Sequence, residues 1–263
     1  MRNTLHHHTP LFYAHRLSQA LNKQVHFKMD CYQPTGSFKI RGIGRFCQQA
    51  LDEGYRELVI ASGGNAGLAT AYAGWKLGLP TTVVLPMPTP RAVQDRIQVL
   101  GATVLLHGTV WDEANALALA LADRPETRYV SPFDHPTLWA GHASVITECA
   151  EQMPEPDAVL VAVGGGGYFL GVVEGLRQVG WHQTRIYTAE TVGADALYQS
   201  LQQQQWVTLP AITSIASSLG AKRVAEAAYR AAQQPTVTAY TVTDAQAVAA
   251  CRGFLEDLKV LVE

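Results

Sequence analysis

Short apolar, β-rich runs alternate with helix-period segments over almost the whole chain, and this alternation constrains the fold more than any other feature. Residues 57–61, 81–85 and 103–106 read as strands, and 66–77, 91–100 and 111–122 as the helices that follow them. A second series runs through strand 157–163, helix 168–179, strand 185–190, helix 194–204 and strand 236–241, with a last helix from Asp244. Runs apolar on both faces, VLVAV at 159–163 and TVVL at 82–85, call for helices on both sides of a mainly parallel sheet. The expected fold is therefore α/β, in two doubly wound lobes. Residues 131–141 (SPFDHPTLWAG) are rich in Pro and Gly, have neither period, and read as a crossing between the lobes. The glutamines at 202–205 read as a polar helix end, and no fixed-period repeat is present.

Composition narrows the class of function. With 263 residues, 48% of them apolar and 16% charged, the chain can build a real core, which excludes disorder. Twenty basic against 22 acidic side chains give a formal charge of -2, without the basic excess that drives nucleic-acid binding. Apolar runs stop well short of the roughly 18 residues of a membrane span. The opening residues MRNTLHHHTPLF lack the pattern of a secretory signal, so a cytoplasmic location is expected. Cys31, Cys47, Cys149 and Cys251 are scattered and read as reduced packing thiols. Successive His6, His7 and His8 cannot all face one metal from an extended chain, and read as a solvated segment or a purification scar.

Three stretches can carry chemistry, each where a strand or loop hands over to a helix. In PTGSFKIRG at 34–42, Lys39 sits between Phe38 and Ile40. A buried ammonium is costly unless its pKa falls or it forms an imine, and a lowered pKa makes the amine a nucleophile. The alternative is a lysine whose stem packs while its head stays wet. In ASGGNAG at 61–67, small residues leave backbone amides open to an anion such as a carboxylate. There, Ser62 or Asn65 can equally serve as a plain helix cap. The third stretch is Gly164, Gly165, Gly166 and Gly167, between an apolar strand and the helix from Tyr168. Four glycines carry a large conformational cost, tolerable where backbone wraps something compact such as a phosphate. No Lys-Ser/Thr follows them, and the spacing is not GxGxxG, so neither a Walker-type nor a dinucleotide site fits.

A nucleophilic lysine, a carboxylate cradle and a phosphate cradle together describe pyridoxal-phosphate chemistry on an amino acid. The chain resembles the fold type II pyridoxal-phosphate enzymes, and most closely the catabolic L-serine/L-threonine dehydratases. The resemblance spans essentially the whole length. Its lysine motif is similar to the family's SFKxRG, whereas cysteine synthases differ after the lysine. Further matching blocks are Thr9-Pro10-Leu11, Gly141-His142-Ala143-Ser144, the four glycines, ETVGA at 190–194 and ITSIASSLGA at 212–221.

The resemblance implies a tryptophan synthase beta-subunit-like fold, with a large cofactor-binding domain at 1–41 and 139–263 and a small substrate domain at 42–138. It implies that Lys39 holds the cofactor as a Schiff base, flanked by Phe38 and Ser218, with Asn65 at the ring hydroxyl. Gly164, Gly165, Gly166, Gly167 and Tyr168 would hold the phosphate. Ser62, Gly63, Gly64, Asn65 and Ala66 would hold the substrate carboxylate. A monovalent cation, K+ or another, would take the Glu190 side chain and the carbonyls of Ala194, Leu219 and Ala221; otherwise Glu190 is a solvent-facing strand-end carboxylate. The implied reaction is removal of the α proton by Lys39 and loss of the β hydroxyl, with the cofactor phosphate as proton donor. It gives pyruvate from serine or 2-oxobutyrate from threonine, plus ammonia.

The partner is a small amino acid, without nucleic acid or membrane, and the chain is expected to be a homodimer. Relatives continue past a Val-Glu like Val262-Glu263 into a Cys- or Ser-bearing segment that meets the ring nitrogen, and this chain is expected to lack that partner. A catalytically impaired homologue, a serine racemase, and a cofactor-free α/β module binding a phosphorylated metabolite remain as other readings.

Overall fold

The structure is a computed structural model describing residues 4–263. The chain opens with an antiparallel pair, β1 (Leu11–Tyr13) and β2 (His26–Lys28), joined through α1 (His15–Leu21). These strands are too short and too mixed in composition to show a period. After Met29 the chain enters a first compact unit, which among the described residues comprises 4–8 and 30–141, and from His142 it returns to a second, made of 9–29 and 142–263.

In the first unit, α2 (Lys39–Asp52) leads to β3 (Glu57–Ile60), α3 (Asn65–Leu77), β4 (Thr81–Leu85), α4 (Arg91–Gln98), β5 (Thr103–Leu106), α5 (Trp111–Ala122) and β6 (Thr127–Tyr129). The strands form a parallel sheet in the order β5-β4-β3-β6. Both central strands are buried on both faces, as a βαβ architecture demands: Ile40, Ile43, Phe46, Leu58, Ile60 and Leu85 pack in one cluster, Val59 and Val84 with Ala114 and Ala118 in another. The helix α3 lies close on β4 because Gly74 has no side chain; a Cβ there would overlap the Thr81 hydroxyl.

Residues 30–41, expected with the large domain, cluster with this unit, and so do 139–141. One side chain accounts for much of this. Arg41 is 0% exposed and forks onto Asp30, with Nη2 to Oδ1 at 2.7 Å and Nε to Oδ2 at 2.9 Å. A bidentate pair of this kind holds a planar geometry, and breaking it strands a buried charge. On the other side, Gly141 runs so close to α2 that a Cβ would sit 2.6 Å from the Arg41 carbonyl oxygen. The side chains of His7 and His8 are exposed, as a solvated segment would have them, while the backbone of His7 exchanges two 2.8 Å hydrogen bonds with the side chain of Gln33.

Within 131–141 the structure forms α6 (Pro136–His142), where the sequence shows no helical period. The second unit then builds α7 (Ser144–Gln152), β7 (Ala158–Ala162), α8 (Gly167–Val179), β8 (Arg185–Thr191), α9 (Ala196–Gln202), α10 (Glu226–Ala232), β9 (Val237–Val242) and α11 (Asp244–Leu258). The strands are parallel in the order β7-β8-β9. β7 is an edge strand with one open face: Leu160 is 76% exposed, against the expectation that this apolar run is covered on both sides. Thr243 and Gln246 form a reciprocal cap that starts α11. Among the described residues no helix is long and apolar enough to cross a membrane.

Candidate active site

In the first unit the PTGSFK segment ends in a turn, with Gly36 at φ +72, and Phe38 caps α2 so that Lys39 is its first residue. Burial lowers the Lys39 amine from its usual 10.5 to about 8. Its Nζ donates to the carbonyl of Pro132 at 2.7 Å and stands 5.3 Å from the centre of the Phe38 ring. The side chain as a whole is half-buried, and its head meets a backbone carbonyl. Two buried hydroxyls just upstream, Thr35 Oγ1 and Ser37 Oγ, have no hydrogen-bond partner among the described residues.

Residues 61–67 turn from β3 into α3. Neither Ser62 nor Asn65 is the cap; that position is Gly64, without a side-chain cap bond, and Ser62 Oγ instead accepts the Gly64 amide at 3.3 Å. The amides of Gly63, Ala66 and Gly67 meet no acceptor among the described residues. Gly67 is required for the turn to close, since a Cβ there would overlap the Ser62 carbonyl oxygen. At the base of the turn, the Trp111 indole donates to the Ala61 carbonyl at 2.8 Å.

The second unit carries the other expected residues. The glycine loop follows β7, and Gly166, at φ +86, caps the thirteen-residue α8. A Cβ on Gly166 would overlap that of Ala228, so the position is closed to other residues both by backbone angle and by space. No acceptor among the described residues takes the amides of Gly164, Gly165, Gly166 or Gly167. Unpaired amides at the positive end of a helix form a site for an anion. The carbonyl of Gly165 fixes the loop from behind by accepting the Ala225 amide at 2.9 Å. The half-buried Tyr168 ring stands edge-on to His142 at 5.7 Å.

Leu219 lies against this loop: a Cβ on Gly164 would come within 3.1 Å of its Cα and 3.3 Å of its carbonyl oxygen. Ser218, one residue earlier in the same short turn (Ser217–Leu219), is exposed. Glu190 is 1% exposed, so it is not a solvent-facing carboxylate. Its oxygens accept the amides of Leu197 at 2.9 Å and Tyr198 at 2.7 Å, and burial still raises its carboxyl to about 7. The carbonyls of Ala194 and Ala221 accept no amide among the described residues, while that of Leu219 accepts Ala221 at 2.7 Å.

The chain belongs to the pyridoxal-phosphate dependent enzyme family, which it matches over residues 3–263. It is 49% identical over 259 residues to "Serine dehydratase-like" of Mus musculus, covering 98% of this chain and 79% of that one. To "L-serine dehydratase/L-threonine deaminase" of Homo sapiens it is 43% identical over 261 residues, covering 98% and 80%. The structure of a fungal L-serine ammonia-lyase from Rhizomucor miehei superposes with a TM-score of 0.93 at 35% identity, covering 99% of this chain and 84% of that one.

The residues present fit the cofactor. Four unpaired backbone amides at a helix start suit a phosphate, and a desolvated amine with a single neutral acceptor suits an aldehyde carbon. The sequence missed the Pro132 carbonyl, because a backbone acceptor leaves no mark on residue type.

Proposed function

We propose that this chain eliminates water from L-serine, and from L-threonine as a second substrate, and that the released enamine is hydrolysed by water to pyruvate or 2-oxobutyrate plus ammonia. The observation that carries the reading is Lys39: its amine is lowered to about 8 by burial, within reach of general-base work at neutral pH. The names of the serine dehydratases and the serine ammonia-lyase it resembles support the choice of substrate.

Bound pyridoxal phosphate supplies the electron sink that makes an amino-acid α proton removable. Lys39 would carry the cofactor, and its Nζ would take the α proton of the substrate. Phe38 and Ser218 would lie beside the ring, and Asn65 at its hydroxyl. The amides of 164–167, with Tyr168, would hold the phosphate. The Ser62 hydroxyl and the amides at 63–66 orient the substrate carboxylate, which fixes the α carbon before the lysine.

The reading extends to K+ or another monovalent cation on Glu190 and the carbonyls of Ala194, Leu219 and Ala221. The two carbonyls without amide donors and the buried carboxyl support it. The four unbridged cysteines support a reducing, cytoplasmic home.

Loading the chain with pyridoxal phosphate and following keto-acid release from L-serine tests the reaction. Release that disappears in Lys39→Ala is the expected result; a folded, loaded chain yielding no keto acid from either substrate overturns it. Borohydride reduction and peptide mapping should label Lys39, not Lys76 or Lys222.

A further inference from the structure

The acceptor that meets Lys39 is a backbone carbonyl, and a carbonyl is only as well placed as the turn that carries it. Pro132 lies between β6 and α6, in a segment held at three points. The Asp134 amide donates to Ser131 Oγ at 3.0 Å, the Thr137 amide to His135 Nδ1 at 3.1 Å, and the Trp139 indole to the Phe133 carbonyl at 2.9 Å. The Phe133 and Pro132 carbonyls belong to neighbouring peptide planes that share the Phe133 Cα, so pinning one restricts the other. The His135 ring also stands edge-on to Phe46 of α2, at 4.8 Å, which ties the turn to the helix that starts at Lys39.

We propose that the 131–139 turn is a positioning device for Lys39, and that Trp139 is the positioning residue that aims the Pro132 carbonyl at its Nζ. When the amine is not covalently engaged, this carbonyl holds one N–H and thereby fixes the direction of the others. The nearby ionisable groups of the unit do not do this. Arg41 is committed to Asp30, and Asp134 and His135 sit on the turn itself, the imidazole held below its usual value by burial and by Arg128. The Lys39 amine is lowered by burial, with no charged group contributing.

The inference rests on Lys39 being the cofactor-bearing lysine, which the borohydride mapping tests separately. Its own test uses the full chain without cofactor. Trace acetylation over a pH series, read by mass spectrometry of the Lys39 peptide, gives the midpoint at which the amine becomes reactive. A carbonyl acceptor favours the ammonium form, so loosening it lowers the midpoint. Trp139→Phe keeps the ring and removes the donor; Ser131→Ala removes an acceptor from the same turn. Each should move the midpoint down from about 8 by roughly half a unit to one unit. Thr137→Val, which removes a bond from α6 to Gln49 without touching 131–133, should leave it in place. No shift in Ser131→Ala and Trp139→Phe, or an equal shift in Thr137→Val, overturns the proposal. If Trp139→Phe does not fold, Ser131→Ala alone decides.

Discussion

The turn at 61–67 and the loop at 163–167 are built from the same parts, a parallel strand, a run of small residues and a helix, yet they present different chemistry. The first adds a hydroxyl: Ser62, half-buried, already accepts the Gly64 amide. The second offers only main chain, with Gly166 in a conformation that excludes a side chain. The contrast suits two occupants. A phosphate that stays bound is held by many fixed amides, whereas a carboxylate that comes and goes needs fewer donors and one adjustable group.

The contrast breaks most visibly at the glycines. Gly166→Val forces a strained backbone and an overlap with Ala228, so pyridoxal phosphate affinity should fall by 100-fold or more, on the order of 3 kcal/mol or above. Gly64→Ala, at φ -100 with nothing within 4 Å of the added Cβ, should leave cofactor affinity unchanged. Equal losses measured by cofactor titration would erase the distinction between the two turns.

A smaller effect is expected at Ser62. Ser62→Ala should lower kcat/KM for serine by the value of one charge-assisted hydrogen bond, about 1.5 to 3 kcal/mol, without altering the absorbance of the bound cofactor. Unchanged serine kinetics would reduce Ser62 to a local turn former.

The smallest effect is on stability, where each unit's buried ionisable group acts with opposite sign. Lys39 binds its proton more weakly folded, at about 8, than its usual 10.5, so its contribution grows as pH rises between those values. Glu190 binds more tightly folded, at about 7 against 4.5. Its contribution is complete below 4.5 and is lost as pH rises through 7. The urea-midpoint difference between wild type and Lys39→Met should therefore shrink as pH rises from about 8 towards 10.5, and that between wild type and Glu190→Gln should grow as pH rises from 4.5 through about 7. Differences that change with pH in the same direction at both sites would show that the two groups are not shielded as described.

Much of the frame was legible because βαβ units write themselves as periodicity: 81–85 and 111–122 were read at the bounds that β4 and α5 show. Lys39 and the glycines stood out because they violate ordinary patterning, an amine among apolar residues and a run of four unrestrained backbones. What stayed hidden has no residue signature. Pro136–His142 is a helix tied to α2 by a tertiary bond from the Thr137 hydroxyl to Gln49, which no local period announces. Ser62 looked like a cap and is not one, since Gly64 takes that place. Nor does composition reveal that the first glycine turn depends on Gly67 to clear a carbonyl.

The bond from the Trp111 indole to the Ala61 carbonyl gives the first turn a built-in optical probe. Indole emission responds to whether its N–H is engaged, and this one is tied one residue before Ser62. Of the chain's five tryptophans, Trp139 is bonded in the same way to the turn that faces Lys39. Single-tryptophan variants keeping one or the other would therefore report ligand arrival at the substrate turn and lysine release as separate fluorescence signals, each resolvable in time without an added label.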